Sequence, residues 1–302
     1  MGAIHQMGHD SENLILENNL DKYVGAILST VNRTCNEVLQ HVTKVRNEKP
    51  DFNIIFDPQL YFPQSQREIL KSWDYFPDDL STHDLSDYKW WEGIISKLIK
   101  QCDSFKPNII CSPAPFARTN FSNEYYELSI LIGDRLNSEL ENINWVTPMQ
   151  TVIARLPELS DTNRVLEIAS LLSRASTKEL FILFTCEIEP RREITPGDDI
   201  KGGMLLINLL KNAGYTISVG MCNTEFVLWK AAGATSCATG KFFNLRRFTQ
   251  SRWDESLEGG GQVPYWFEEN IMAFIREGDL VRINNLGLLS DSSMNNPYGK
   301  KY

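Results

Sequence analysis

The sequence predicts a parallel α/β protein folded as a single (β/α)8 TIM-like barrel. Short apolar runs recur along the chain, helix-like stretches fill most of the gaps between them, and polar or turn-forming residues follow the runs directly. Runs that are apolar throughout are typical of strands buried on both faces, and helices between such strands require parallel pairing through crossovers. Seven repeats without a long linker favour one barrel over two Rossmann-type domains.

Seven segments are the predicted strands, in chain order: 23–29, 52–56, 108–111, 151–154, 180–186, 215–221 and 234–238. Helical periodicity is found at 36–47, 86–104, 121–141, 161–175, 199–213, 223–232 and 264–277. Most of these helices end in glycine, proline or polar residues just before the next strand. The eighth strand is less clear, and the sequence offers two candidates, 280–283 and 14–16.

The barrel is predicted to cover residues 22–285, between a polar N-terminal segment at 1–21 and a flexible C-terminal tail at 286–302. No stretch approaches the roughly 18 apolar residues needed to span a bilayer, and the polar start lacks the apolar centre of a signal peptide. We therefore expect a soluble, cytoplasmic protein that does not bind membranes.

The composition excludes several classes of protein. With 30 Lys and Arg against 39 Asp and Glu, the formal charge of −9 argues against a general binder of nucleic acids or anionic membranes. The six cysteines form no CxxC pair and the four histidines do not cluster, so we expect reduced thiols, no metal and no cofactor. No serine-hydrolase elbow, zincin helix or dinucleotide fingerprint follows a predicted strand.

Polar residues at the strand ends predict an active site, because the βα loops of a parallel barrel converge at that face. Asp57 follows the second predicted strand, where a carboxylate could act as a general base or a nucleophile. The alternative is that Asp57 only accepts backbone N–H groups of its own turn. Gln59 and Tyr61 belong to that turn, and Ser112 and Asn223 follow other strands, so all four are predicted to bind substrate.

A charged group follows the fifth predicted strand. Glu187 is nearest the strand end and is predicted to be a second acid or base, while Arg191 and Arg192 could clamp an anion through their planar guanidinium groups. The alternative is a solvated cluster of ion pairs on a charged rim.

The segment 234–254 is a local anomaly in an acidic chain, because basic residues alternate there with aromatic ones. Gly240, Lys241, Arg246 and Arg247 could together hold a phosphate, since loops after the last barrel strands often do so. The alternative is a structural loop whose phenylalanines plug the barrel while its arginines pair with acids such as Glu225 or Glu268. A Gly-rich stretch follows at 259–261, and it can be interpreted either as a lid or as a plain linker.

These features resemble (β/α)8 enzymes in general, and a strand-end Asp beside a basic, aromatic rim is similar to the tRNA-guanine transglycosylase class of barrels. Those enzymes use an Asp nucleophile, a second Asp that reads the base, and a Cys/His zinc site near the C-terminus. Only Asp57 has a counterpart by position, and the zinc ligands are missing. The resemblance is one of architecture.

The resemblance implies a transferase or hydrolase that acts on the N-glycosidic bond of a phosphate-bearing nucleotide or nucleic acid. One alternative is a non-catalytic binding or assembly subunit whose basic aromatic loop docks a protein or nucleic acid, and a protein partner or homo-oligomer is compatible with either function. A flavin-type or aldolase-type barrel with Lys241 as a Schiff-base lysine is a third possibility.

Overall fold

The computed structural model describes residues 2–8, 12–16, 23–81, 84–117, 121–253, 264–268 and 270–289. The chain divides into two compact units, Met1–Glu255 and Ser256–Tyr302. The first unit contains a closed barrel of eight parallel strands, and the predicted fold class is therefore confirmed. Within the described ranges, no helix has the length and apolar character needed to cross a membrane.

The barrel strands pair in chain order, and the last strand closes the wall against the first. Their bounds are β1 (Ala3–Gln6), β2 (Tyr23–Ile27), β3 (Asn53–Phe56), β4 (Ile109–Cys111), β5 (Thr147–Arg155), β6 (Glu179–Thr185), β7 (Thr216–Gly220) and β8 (Ser236–Thr239). In the closing pair, Ala3 lies opposite Cys237 and His5 opposite Thr239. Strands β2 to β8 overlap the seven predicted segments.

The eighth strand is β1, and both sequence-based candidates for it are wrong. Segment 14–16 lies in a short helix, and segment 280–283 lies in a helix of the second unit. Strand β1 is only four residues long, and it contains His5 and Gln6, so it lacks the continuous apolar run that identifies the other strands. It also lies within residues 1–21, so the chain enters the barrel earlier than predicted.

Helices follow the strands and form the outer layer of the first unit. They are α1 (Glu12–Leu16), α2 (Cys35–Glu48), α3 (Tyr88–Cys102), α4 (Asn123–Leu140), α5 (Thr162–Leu172), α6 (Gly197–Asn212) and α7 (Phe226–Ala232). Side-chain caps fix where several begin: Thr34 and Glu37 form a capping box on α2, and Ser122 and Asp161 cap α4 and α5. Each helix follows a strand, so the helix N-termini lie on the face of the strand C-termini.

The direction of the strand side chains follows from one outward residue. The ring of Phe56 packs against Trp73 and Phe105, which belong to the outer layer, with ring centroids 5.3 and 5.1 Å away. Side chains alternate along a strand, so the preceding Ile55 points into the barrel. Ile27 pairs with Ile55 and Gln6 pairs with Ile27, and paired residues of parallel strands share a face. Gln6 therefore points inward at the C-terminal end of β1.

The second unit differs from the prediction. The helix predicted at 264–277 is instead an antiparallel pair, β9 (Tyr265–Glu268) and β10 (Ala273–Arg276), followed by α8 (Glu277–Asn285). Aromatic residues favour strands, and the rings of Phe267 and Phe274 lie 5.0 Å apart on opposing strands. The Gly-rich stretch at 259–261 and the end of the predicted C-terminal tail lie outside the described residues.

Replacement of Gly202 by Ala should destabilise the protein. Helix α6 packs so closely on the turn after β5 that a Cβ on Gly202 would lie within 1.8 Å of the Leu159 carbonyl oxygen. We expect Gly202→Ala to lower the free energy of unfolding by about 1–3 kcal/mol, because backbone must shift. The matched control is Gly93→Ala in α3, where nothing lies within 4 Å and a gain of about 0.5–1 kcal/mol is expected. Urea denaturation measures both, and equal effects would contradict the close approach.

Candidate functional site

Asp57 lies one residue beyond β3 and is fully buried. Its Oδ2 accepts a hydrogen bond from the Tyr61 hydroxyl at 2.7 Å, and its Oδ1 accepts one from the Gln59 backbone N–H at 2.9 Å. Tyr61 and Gln59 are also buried. The structure thus brings three predicted site residues together, and the bond from Gln59 is the turn contact that the alternative interpretation of Asp57 expected.

Burial has the largest effect on the pKa of Asp57. Loss of water raises the pKa of its carboxyl from 3.8 to about 6, against the opposing effects of the Tyr61 hydroxyl, the Gln59 N–H and the positive charge of Arg252. A carboxyl group that titrates near pH 6 can both give and take a proton near neutrality, as an acid or base catalyst must.

Gln59 has an unusual backbone conformation. Its φ of 50° lies in the left-handed region, which costs a non-glycine residue of order 1 kcal/mol. Both of its backbone polar groups are held, because its N–H donates to Asp57 and its carbonyl oxygen accepts from the Trp253 indole N–H at 3.0 Å. The strained turn is therefore fixed between the carboxyl group and the segment that follows β8.

Two aromatic residues of that segment, Phe248 and Trp253, pack over the Asp57 turn. The ring of Tyr61 meets both of them edge-on, at centroid distances of 5.0 Å for Phe248 and 5.2 Å for Trp253. Phe248 also forms a parallel bridge with Thr185 at the end of β6. We call Phe248 and Trp253 the aromatic plug, because both are buried and both pack on the turn that holds Asp57.

The two arginines predicted to clamp a phosphate are engaged with the chain itself. Buried Arg247 donates to the Arg192 carbonyl oxygen at 3.0 Å, and its guanidinium lies 3.9 Å from the carboxylate of buried Glu225. Arg246 donates to the carbonyl oxygens of Gly240 and Lys241, at 2.7 and 3.3 Å. These contacts match the structural interpretation of the loop.

Lys241 and Gly240 differ from each other in environment. The Lys241 side chain is exposed, with its ammonium 5.3 Å from the centre of the Phe242 ring. At Gly240 a Cβ would meet the Leu245 side chain and the Gln6 carbonyl oxygen, so the glycine accommodates the chain's own atoms. A phosphate clamp at Lys241, Arg246 and Arg247 stays a prediction.

Glu187 is largely exposed, with 82% of its side chain accessible, and it forms an ion pair of 2.5 Å with Arg155 at the end of β5. Arg191 and Arg192 form ion pairs with Glu189 at 2.9 and 3.9 Å, also on the surface. Exposed pairs of this kind contribute little to stability. The structure places this group in the solvated arrangement that the alternative interpretation described, and it gives Glu187 no buried environment like that of Asp57.

Ser112 and Asn223 are buried and braced by neighbouring protein groups. The Ser112 hydroxyl accepts from the Thr151 backbone N–H at 2.9 Å, which joins the end of β4 to the middle of β5. The Asn223 backbone N–H donates to Glu225 at 3.0 Å, and its side chain donates to Glu193 at 3.4 Å. These hydrogen bonds do not test the prediction that Ser112 and Asn223 bind substrate.

Sequence reasoning counted Arg252 among the basic residues near the predicted barrel mouth but gave it no role in the site. Its buried guanidinium donates to the Ser29 hydroxyl at 3.2 Å and to the Met7 carbonyl oxygen at 3.5 Å, and its charge acts on Asp57. Arg252 stands in the basic aromatic segment 234–254, so a signal is present in the sequence. Nothing in that pattern distinguishes an inward guanidinium from an exposed one.

A separate cleft of 630 Å³ opens on the same face of the barrel, between the N-terminal ends of α4 and α5. Its lining includes Glu124, Glu158 and Arg164. Burial raises the pKa of Glu158, while Arg164 and Arg155 oppose that rise. In the part of the chain that the structure describes, no cluster of three or more His, Cys, Asp or Glu residues could hold a metal ion, and all six cysteines are free thiols.

Comparisons with known proteins give the chain no family. No protein-family model matches it, and no curated protein matches it. Among solved structures, the chain is similar to the crystal structure of L-talarate dehydratase from Polaromonas sp. JS666 complexed with Mg and L-glucarate, at 10% identity and a TM-score of 0.41. The match covers 80% of this chain and 54% of the dehydratase, so the chain spans about half the length of that protein. Nothing in these comparisons supports the similarity to transglycosylases.

Proposed function

We propose that this chain is a barrel enzyme in which Asp57 transfers a proton to and from a phosphate-bearing substrate, and that the bond it breaks is the N-glycosidic bond of a nucleotide or nucleic acid. One observation carries the proposal: a fully buried carboxyl group with a pKa of about 6 stands at the C-terminal end of a barrel strand. Catalytic residues of parallel barrels come from that face.

Asp57 can act in both of its ionisation states. When protonated, it donates its proton to the leaving nitrogen as the C–N bond breaks and the bonding electrons pass to that nitrogen. The resulting carboxylate then takes a proton from the water molecule that adds to the sugar carbon, which restores the starting state. Tyr61 and the Gln59 N–H hold the carboxyl group in place throughout.

The aromatic plug limits how substrate can reach Asp57. Because Phe248 and Trp253 cover the turn, a substrate reaches the carboxyl group only when this segment shifts. Exclusion of water strengthens electrostatic interactions inside a site, so a plug that closes again over bound substrate would favour proton transfer. The acid and base chemistry rests on the geometry of Asp57, while the choice of an N-glycosidic bond rests on the sequence analysis.

The experiment that tests the proposal measures release of free base. The protein is incubated with nucleosides, nucleotides and single-stranded oligonucleotides, and liberated base is quantified by chromatography. We expect release from at least one phosphate-bearing substrate by the wild-type protein and by Asp198→Asn, an exposed aspartate on α6 paired with Lys201. Release that is equal in Asp57→Asn, or that is absent with every substrate, would contradict the proposal.

A further inference from the structure

Arg252 is a buried cation whose two hydrogen-bond acceptors are neutral, the Ser29 hydroxyl and the Met7 carbonyl oxygen. Its Nε has no acceptor among the described residues. A buried guanidinium is costly unless charged or polar partners satisfy it. The pKa of Arg252 falls to about 10 through burial and through repulsion from Arg67, so the group stays positively charged near neutral pH.

A second buried polar group, on the residue before Met7, also lacks partners. Gln6 points into the barrel at the end of β1, and the carbonyl oxygen of the next residue, Met7, accepts from Arg252. The Gln6 side chain is completely buried, and neither its Nε2 nor its Oε1 has a hydrogen-bond partner among the described residues. A buried amide without hydrogen-bond partners is destabilising, and a bound polar ligand would supply the missing partners.

The charges around this position favour an anion. Arg252 carries one positive charge inside the barrel mouth, and Arg67 adds another close by, because it donates to the Arg252 carbonyl oxygen at 3.1 Å. The titratable groups that act on Asp57 or are acted on by it are Arg252, Tyr61, Tyr75 and Cys111. Burial raises the pKa values of the two tyrosines and the thiol, so these three stay neutral near pH 7.

We infer that Arg252 and Gln6 form a binding site for a single oxyanion, a phosphate or carboxylate group, in the barrel mouth beneath the aromatic plug. The site deepens the proposed function, on which its biological role rests, because it assigns the substrate's anionic group to Arg252 instead of the loop residues Lys241, Arg246 and Arg247. The oxyanion would accept hydrogen bonds from the free Nε of Arg252 and from the Gln6 amide.

Binding at this site must respond to the charge of Asp57. An ionised carboxylate close to Arg252 competes with the ligand for the guanidinium and repels the oxyanion, whereas a protonated one does neither. Affinity for an anion should therefore be highest below about pH 6 and should weaken above it, by at most about tenfold per pH unit. Asp57→Asn should remove this dependence and bind anions at neutral pH as tightly as the wild-type protein does in acid.

Sulfate is the probe for the test, because its charge does not change between about pH 5 and about pH 8, where only the protein titrates. Calorimetry at low ionic strength measures its dissociation constant for the wild-type protein, Asp57→Asn, Arg252→Gln and the matched surface variant Arg174→Gln. We expect at least a tenfold loss of affinity in Arg252→Gln and none in Arg174→Gln. Inorganic phosphate and acetate, compared with sulfate, show whether the site prefers a phosphate or a carboxylate.

Three results would overturn the inference: absence of sulfate binding to the wild-type protein, unchanged binding in Arg252→Gln, or equal pH dependence in the wild-type protein and Asp57→Asn. The last comparison decides the matter even where Arg252→Gln does not fold. Base release that depends on Asp57 without sulfate binding would leave the proposed function standing and remove the oxyanion site. Sulfate binding without base release would leave the oxyanion site standing and contradict the proposed function.

Discussion

Asp57→Asn is expected to lower the rate of any reaction that depends on proton transfer at this site by about 10²–10⁴-fold, the range that a positioned acid or base contributes. The same substitution should change how stability depends on pH. The amide of the variant would keep an acceptor oxygen for Tyr61 or the Gln59 N–H but could not ionise, so the two effects come from one lost property of the side chain.

The sign of the stability effect follows from the raised pKa of Asp57. In the folded protein the carboxyl group binds its proton up to about pH 6, whereas in the unfolded chain it releases the proton near pH 3.8. Stability from this group is therefore fully present below about pH 4 and is lost as the pH rises through 6. A shift of this size corresponds to about 3 kcal/mol of unfolding free energy, which the wild-type protein loses between about pH 4 and about pH 7.

Denaturant unfolding across that pH range measures the difference between the wild-type protein and Asp57→Asn. Between low and neutral pH, we expect the free energy of unfolding of Asp57→Asn to rise by about 3 kcal/mol relative to that of the wild-type protein. Asp198→Asn, which alters an exposed carboxylate instead, should run parallel to the wild-type protein within about 0.5 kcal/mol. Parallel curves for Asp57→Asn would show that Asp57 is not desolvated.

Trp253→Ala should produce the largest loss of stability among substitutions in the aromatic plug, about 3–5 kcal/mol, because it removes a fully buried indole. The indole N–H bonds the Gln59 carbonyl oxygen, and the ring packs against Tyr61, Phe62 and Phe248. Water that enters the vacated space should solvate the Asp57 carboxylate. We therefore expect the pKa of Asp57 to fall from about 6 toward its ordinary value of 3.8.

Carbon-detected NMR titration of the Asp57 carboxyl group measures that shift, and urea unfolding measures the loss of stability. Trp90→Ala is a matched control, since Trp90 is a half-buried tryptophan on α3 that packs against Trp91. Trp90→Ala should lower the free energy of unfolding by less than Trp253→Ala and leave the pKa of Asp57 unchanged. If Trp253→Ala also leaves that pKa near 6, other groups keep water from the carboxyl and the plug does not.

The strands buried on both faces can be predicted, because their central residues, such as 180–184 of β6, are all apolar. Strand β1 cannot, since its inward positions include a glutamine and its outward positions a histidine. The hairpin of the second unit resembles a helix in sequence, because aromatic residues at 265–267 fit either period. For β1 the deciding contacts are made with β8, which is distant in sequence, whereas for the hairpin they are cross-strand pairs that helical periodicity does not reveal.

The candidate site also has some features that the local sequence predicts and others that it does not. The position of Asp57 at a strand end is a local property, because an apolar run followed by Asp-Pro predicts it. The environments of Glu187 and Arg247 are not local. Whether a guanidinium meets a ligand or the carbonyl oxygen of Arg192 depends on how two loops meet over the barrel. Trp253, which bonds the turn that holds Asp57, likewise belongs to a segment far along the chain.

The pairing of β1 with β8 has a consequence for synthesis of the protein. Strand β1 leaves the ribosome before the partner that closes the wall, which follows it roughly 230 residues later along the chain. Until then the nascent barrel is an open sheet with an unpaired edge, the kind of surface that joins neighbouring chains. Yield from an expression host should therefore respond to growth temperature and chaperone supply more than the equilibrium stability of the finished barrel would indicate.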